Sequence, residues 1–226
     1  MVEAIAIDGP AGAGKSTVAR LLAERLGFQY LDTGAMYRCV ALAALRSGTP
    51  LNDPTALGRL AEEIRIEFQP GTPQRVFLNG EDVTDLIRTA EVSEAASVVS
   101  VHPEVRRQMV RRQRQLCEAG GVVLEGRDTT TVVCPDARLK VFLTASLEER
   151  ARRRLRDLQA AGAEATFEEV LEQIRERDAR DSGRSVSPLQ RAEGALVVDS
   201  EGILPEEVRD RILAAWVENG GQPPPG

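Results

Sequence analysis

Gly9-Pro10-Ala11-Gly12-Ala13-Gly14-Lys15-Ser16 fits the pattern GxxxxGK[ST] at every fixed position, a spacing that cradles phosphates. On one side Glu3-Ala4-Ile5-Ala6-Ile7 reads as a short buried strand, and on the other Thr17 to Leu26 reads as a helix. The loop is therefore expected at a helix N-terminus. There the unpaired N–H groups and the positive end of the dipole face an anion, and the glycines let backbone come close to it. Lys15 is expected to reach the β- and γ-phosphates of a nucleotide, and the Ser16 hydroxyl a Mg²⁺ held mostly through phosphates and water. Of 29 basic residues only Lys15 and Lys140 are lysine. A compact ammonium suits a tight phosphate cradle better than a planar guanidinium, which gives lysine a functional reason to stand at position 15.

The chain of 226 residues, 42% hydrophobic, is long enough to bury a core as one domain or as a core with an insert. Its net charge of −6 argues against general nucleic-acid binding, so an anionic ligand must be held by local arginine clusters. Cys39, Cys117 and Cys134 form no CxxC and His102 is the sole histidine, so neither a zinc site nor a disulfide framework is expected. With a strand starting next to Met1 and no run of about 18 apolar residues, the reading is a cytoplasmic protein without signal peptide or membrane span.

Downstream, Phe28 to Asp32 reads as a second strand, and Thr33 can cap a helix through Met36, Val40 and Leu45 that Gly48 stops. Strand, loop and helix alternate, the grammar of a parallel sheet with ligands at the strands' carboxyl ends. From Ile64 to about Thr89 the grammar changes: Ile64 to Phe68 alternates, Gly71 and Pro73 punctuate, and Val76-Phe77-Leu78 precedes the turn Asn79-Gly80. A small antiparallel insert is expected. Thr89 to Val101 and Pro103 to Ala119 follow as helices, then Gly121 to Glu125 as a buried strand that delivers Gly126-Arg127-Asp128 to a site position. Leu139 to Leu143 and Ala195 to Asp199 complete the strands, and the tail after Trp216 ends in Gly-Gly-Gln-Pro-Pro-Pro-Gly, a disordered composition.

Two charged helices stand out. From Ser146, the pairs Glu148 to Arg152 and Glu149 to Arg153 are favourable at i,i+4, whereas Arg150 faces Arg154 with no acid of its own. An anion is missing there, and the stretch Ala160-Ala161-Gly162-Ala163 gives the helix a place to hinge, so it is expected to act as a lid over ATP. Further on, Thr166 and Glu169 form a capping box, and the stripe Val170, Ile174, Arg177, Asp181, Arg184 passes from apolar to charged on one face. A helix that lines a cleft has that pattern.

Five stretches together carry a resemblance: Ile7 to Lys15, Leu31-Asp32-Thr33-Gly34-Ala35-Met36-Tyr37-Arg38, Ile87-Arg88-Thr89-Ala90-Glu91-Val92, Glu125-Gly126-Arg127-Asp128 and Arg177-Asp178-Ala179-Arg180-Asp181. Over nearly the whole chain they are similar to bacterial cytidylate kinase. The resemblance implies an α/β P-loop kinase of the nucleoside monophosphate kinase fold. Its three-layer core with a central parallel sheet would span 1–63 and 100–219, with a helical lid at about 150–166, a small antiparallel insert in the monophosphate-binding region at 64–99, and a disordered tail at 220–226. It also implies the reaction ATP + (d)CMP → ADP + (d)CDP with Mg²⁺.

Carried over by motif position, the resemblance puts Ser97, Arg106 and Arg184 on cytosine with Thr33 nearby. Arg177 and Asp181 would address the sugar, Arg38 and Arg127 the acceptor phosphate, and Asp128 the nucleotide site. Lys15, Arg127, Asp128, Arg150 and Arg154 are the expected catalytic set. The expected ATP contacts are Gly9 through Ser16, Thr17, Arg150, Arg153 and Arg154. Thr130 departs from the pattern, which has a glycine there, so the loop after Asp128 is expected to differ. Small nucleotides are the expected partners of a monomer. The rivals are another small-acceptor kinase, of uridylate or shikimate type, and a non-catalytic P-loop module; no NKxD supports a GTP switch. Phosphoryl transfer needs mainly positioning and charge neutralisation, so arginines without His or Cys are sufficient.

Overall fold

The computed structural model describes every residue of the chain except 72, 73, 161 and 226. Pro73, Ala161 and Gly226, read above as punctuation, hinge and tail, lie outside the described residues. In chain order the elements are β1 (Val2–Asp8), α1 (Lys15–Leu26), β2 (Gln29–Asp32), α2 (Thr33–Ser47), α3 (Pro54–Glu63), β3 (Ile66–Gln69), β4 (Arg75–Leu78) and β5 (Glu81–Asp82). There follow α4 (Ala90–Val99), α5 (Pro103–Glu118), β6 (Val122–Gly126), β7 (Ala137–Thr144), α6 (Leu147–Ala160), α7 (Phe167–Gly183), β8 (Leu196–Asp199) and α8 (Pro205–Glu218). A 3₁₀ turn stands at Leu86–Arg88 and a π-helical turn at Thr129–Val133. The chain forms two compact units, 1–31 with 117–226, and 32–116.

The first unit holds a five-stranded sheet in the order β2-β6-β1-β7-β8. Ala4 to Ile7 at its centre are fully buried, which is why that run is apolar without alternation. β1 pairs in parallel with β6 and β7, and β7 with β8, in a register that sets Asp8 beside both Gly126 and Phe142. The carboxyl ends thus line up at the point where the strand order reverses around β1, where open α/β sheets bind ligands. Ile5, Ile7, Val18, Leu22, Val123, Val141, Val208, Ile212 and Trp216 belong to the core beneath.

Cys117 and Cys134 are joined as a disulfide across a Cα separation of 6.2 Å, which corrects the expectation of none. Their separation of 17 residues carries no motif, and only the close of α5 and the π-helical turn bring them together. Of the tail expected to be disordered, Gly221 is buried and its N–H donates to Trp216 O, and the Trp216 Nε1–H donates to Gln222 O at 2.8 Å.

In the second unit, α2 starts from an Asp32 cap, Ala35 N donating to Oδ1 at 2.9 Å, so Thr33 is the first helical residue and not the cap. Gly48 ends that helix in the left-handed conformation, φ +68°. The antiparallel sheet β3-β4-β5 occupies the expected insert, and Asn79 and Gly80, with φ +52° and +86°, make the β4–β5 turn. The unit that contains it is broader than 64–99. Helix α3 was not anticipated, though Asp53 and Pro54 carry the signals: the Asp53 carboxylate accepts from Thr55 N and Ala56 N.

Candidate active site

Gly9 to Gly14 joins β1 to α1 as the motif required, and two of its glycines answer to the protein rather than to a ligand. A Cβ on Gly9 would stand 1.9 Å from the Leu143 carbonyl oxygen, and one on Gly12 would stand 3.0 Å from both Cβ and O of Arg150. The loop is thus pressed onto the end of β7 and the first turn of α6. Lys15 is buried and donates Nζ to Pro10 O at 2.8 Å. Burial, followed by the neighbouring Arg127 charge, lowers its pKa to about 7, and Glu125 pulls the other way. Thr17 follows on α1, exposed. The Ser16 hydroxyl donates to Glu125 Oε1 at 2.7 Å. A hydroxyl beside a buried carboxylate is a hard oxygen pair, and such a pair suits Mg²⁺ that keeps most of its shell on phosphates and water.

At the end of β1, Asp8 accepts from the N–H and hydroxyl of Thr129 (2.8 and 2.7 Å) and from those of Thr130 (2.7 and 2.6 Å). Burial pushes its carboxyl up, against donors that favour the anion. This accounts for Thr130: the hydroxyl a glycine would lack closes the last bond on Asp8. The strand that opens the P-loop is thereby stapled to the turn that follows Arg127 and Asp128. Asp128 itself is buried at the head of that turn.

Arg127 donates Nε to Asp181 Oδ2 at 2.8 Å and Nη1 to Gly126 O at 3.2 Å. Burial raises the pKa of Asp181, but Arg127, Arg184 and Arg177 outweigh it and hold the carboxyl below the usual range. Helix α7 stays regular through Asp181, and Val170, Ile174, Asp181 and Arg184 are buried with Arg177 half-buried, so the stripe does turn from apolar to ionic on one face. Arg184 donates Nε to Asp181 O at 3.2 Å. The residues expected at sugar, base and acceptor phosphate, Asp181, Arg184 and Arg127, therefore meet in one cluster.

On α6 the expectation that Arg150 lacks an acid fails. It has an acid, on another helix: Nη1 donates to Asp178 Oδ2 at 2.5 Å and to Ala11 O at 2.9 Å, and Nε to Ala145 O at 3.1 Å. Counting partners along one helix could not see it. Arg153 donates to Glu149 as its spacing required, and also to Ser200 Oγ and O. Glu148 and Arg152 form no pair among the described residues; Arg152 lies 3.8 Å from Glu149 instead. Arg154 is half-buried, with no hydrogen bond or ion pair among the described residues. Asp8, Thr129, Glu125 and Asp178 were not assigned from sequence. All but Thr129 are carboxylates at strand ends or inside a quoted motif, which was the available signal.

The second unit places its candidates by itself. Arg38 donates Nη2 to Asp32 Oδ2 at 2.6 Å; burial raises the Asp32 carboxyl, but Arg38 together with the Ala35 N–H and Arg88 holds it below the usual range. Thr33 is buried beside this pair. Ser97 and Arg106 are linked through Ser100, whose hydroxyl donates to Ser97 O at 3.0 Å and whose carbonyl accepts from Arg106 Nη1 at 3.1 Å. The Arg106 guanidinium lies over the Tyr37 ring, 5.4 Å from its centroid, and the buried Ser97 Oγ has no hydrogen-bond partner among the described residues. Cys39 is an inert thiol, pushed up to about 12 by burial.

A family model described as cytidylate kinase matches residues 5–218. Cytidylate kinase of Caldanaerobacter subterraneus subsp. tengcongensis is 52% identical over 215 residues, 95% of each chain. That of Carboxydothermus hydrogenoformans is 52% identical over 210 residues, 92% of this chain and 95% of the relative. A solved gluconokinase from Sinorhizobium meliloti 1021, 16% identical with TM-score 0.50 over 95% of this chain and 91% of its own, shares the fold alone. Phosphate loop, strand-end arginine and ionic helix stripe fall inside the matched span, and the chain belongs to the cytidylate kinase family.

Proposed function

We propose that this protein transfers the γ-phosphate of ATP to CMP or dCMP, giving ADP and CDP or dCDP. The observation that carries the reading is Lys15, buried at the end of the parallel sheet within the field of Arg127 and Arg177, in a chain of this family. Phosphoryl transfer runs through a transition state whose charge must be neutralised by groups already in place. Lys15 and the N–H groups at the start of α1 supply that charge for the donor. Arg127 is oriented by Asp181 and the Gly126 carbonyl through Nε and Nη1, which leaves Nη2 for the acceptor phosphate. Arg154, half-buried, adds to the donor side.

Ser16, supported by Glu125, would hold Mg²⁺ with the phosphates. Held there, the ion would supply positive charge that offsets the charge of the phosphates during transfer. Ser97, Arg106 and Arg184 are assigned to cytosine, Thr33 and Arg38 to the acceptor's neighbourhood, and Arg177 and Asp181 to its sugar. Asp128 lies at the nucleotide site, and the α6 arm, about 150–166, closes as a lid that excludes water. The working form is a cytoplasmic monomer; no helix among the described residues is long and apolar enough to cross a membrane.

The test is an acceptor screen with ATP over CMP, dCMP, UMP, AMP and shikimate. Turnover confined to the cytidylates is the expected result. Faster turnover with any other acceptor overturns the assignment, and none at all leaves a nucleotide-binding module.

A further inference from the structure

Asp178 stands on α7 between Arg177 and the Asp181 cluster, yet its carboxylate faces the donor loop. Oδ1 accepts the Ala11 N–H at 3.1 Å, and Oδ2 accepts Arg150 Nη1 at 2.5 Å. The same Nη1 donates to Ala11 O at 2.9 Å. Ala11, Asp178 and Arg150 therefore close a ring in which both polar groups of one residue of the phosphate loop are engaged. The Arg150 and Asp178 side chains are 8% and 20% exposed, enough burial for the pair to be poorly screened. The ring leaves no room for a side chain next to it, since a Cβ on Gly12 would stand 3.0 Å from both Cβ and O of Arg150.

Two anion-seeking groups, a loop N–H and an arginine, are held here by one carboxylate. Left alone, the Ala11 peptide could rotate and Arg150 could turn into the loop mouth, where its charge would meet Lys15. We propose that Asp178 is a positioning residue for the phosphate donor. It fixes the Ala11 peptide and Arg150, and so the shape of the loop that receives ATP, from the helix whose next turn carries Asp181 and Arg184 to the acceptor side. The proposal deepens the kinase reading and rests on it for the assignment of donor and acceptor.

The test compares wild type, Asp178→Ala and Asp178→Asn by steady-state kinetics in each substrate and by equilibrium titration of ATP without acceptor. Loss of a carboxylate bonded to two donors should raise both the KM and the Kd for ATP about tenfold in Asp178→Ala, while the KM for CMP stays within about twofold. Asp178→Asn keeps an oxygen for the Ala11 N–H but turns N–H donors toward Arg150, so it should weaken ATP about threefold. Equal rises for ATP and CMP would make the residue merely structural and overturn the proposal, as would an unchanged Kd for ATP. If Asp178→Ala does not fold, the near-isosteric Asp178→Asn decides alone on its ATP titration. A wild type that turns over no cytidylate would defeat the kinase reading, whereas the titration reads Asp178 separately.

Discussion

Helices α6 and α7 both bring arginines to the carboxyl end of the sheet, and they hold them differently. On α6 most guanidinium groups answer to neighbours along the helix, with Glu149 drawing Arg153 at 2.9 Å and both Arg152 and Arg156 at 3.8 Å. Of the other two, Arg150 finds its carboxylate on α7, and Arg154 has none among the described residues. On α7 an apolar stripe continues into buried charge, and that charge is answered by Arg127 from the end of β6. Partners one turn away follow from helical spacing alone. Partners on another element exist only once the sheet has ordered the strand ends.

The broadest way to break this comparison is to remove the charge at the head of the phosphate loop, which the α7 residues Arg177 and Asp181 act on. Lys15→Ala is expected to lower kcat by about 10²–10³ while circular dichroism and melting stay as in wild type. Near-normal turnover would mean that neither helix is arranged around a transferring phosphate. The same residue gives a pH test. Burial holds Lys15 near 7, so the free enzyme has lost most of that proton by about pH 8, and arriving phosphates restore it. Calorimetric titration of ATP in buffers of different ionisation enthalpy should show uptake approaching about one proton at about pH 8 and little at about pH 6. Lys15→Ala should show the difference at neither.

A narrower cut falls on α7. Arginine only donates hydrogen bonds, and cytosine offers a ring nitrogen acceptor where uracil has an N–H. Arg184→Met should therefore shrink the preference for CMP over UMP by roughly ten- to a hundredfold in kcat/KM. Equal losses for the two pyrimidines would show that this helix does not read the base. Asp181→Ala should weaken both alike and also lower the melting temperature, since stranding buried Arg127 costs about 3–5 kcal/mol.

The smallest effects separate two arginines one turn apart on α6. Arg150→Gln breaks bonds to Asp178, Ala11 and Ala145 and should cost about 1–3 kcal/mol of apo stability. Arg154→Gln should stay within about 0.5 kcal/mol of wild type in stability and raise the KM for ATP. Thermal melts of the two apo variants beside ATP kinetics decide it; a stable Arg150→Gln would put that side chain back among the free phosphate ligands.

The phosphate loop, the parallel sheet, the antiparallel insert and the turn of the α7 stripe from Ile174 to Arg177 were all legible in sequence, because each is written in local spacing. What stayed hidden depends on register. Asp8 meets Thr129 and Thr130 only because β1 and β6 end level, and Cys117 meets Cys134 only because α5 closes beside the turn after Asp128. Thr33 lost its cap role to Asp32 for a local reason, the carboxylate of the preceding residue being the better-placed acceptor for Ala35 N.

Trp216 is the chain's sole tryptophan, fully buried, with Phe28 edge-on at 5.6 Å and the Arg138 guanidinium at 5.8 Å. The chain beyond α8 folds over it so closely that a Cβ on Gly221 would come within 2.1 Å of the ring. Arg138 marks the amino end of β7, whereas phosphates belong at the carboxyl end. The protein's indole fluorescence thus comes from one dry position near the amino end of the sheet. Its emission should report the opening of the first unit's core in denaturant, by a red shift, and stay silent when nucleotide binds.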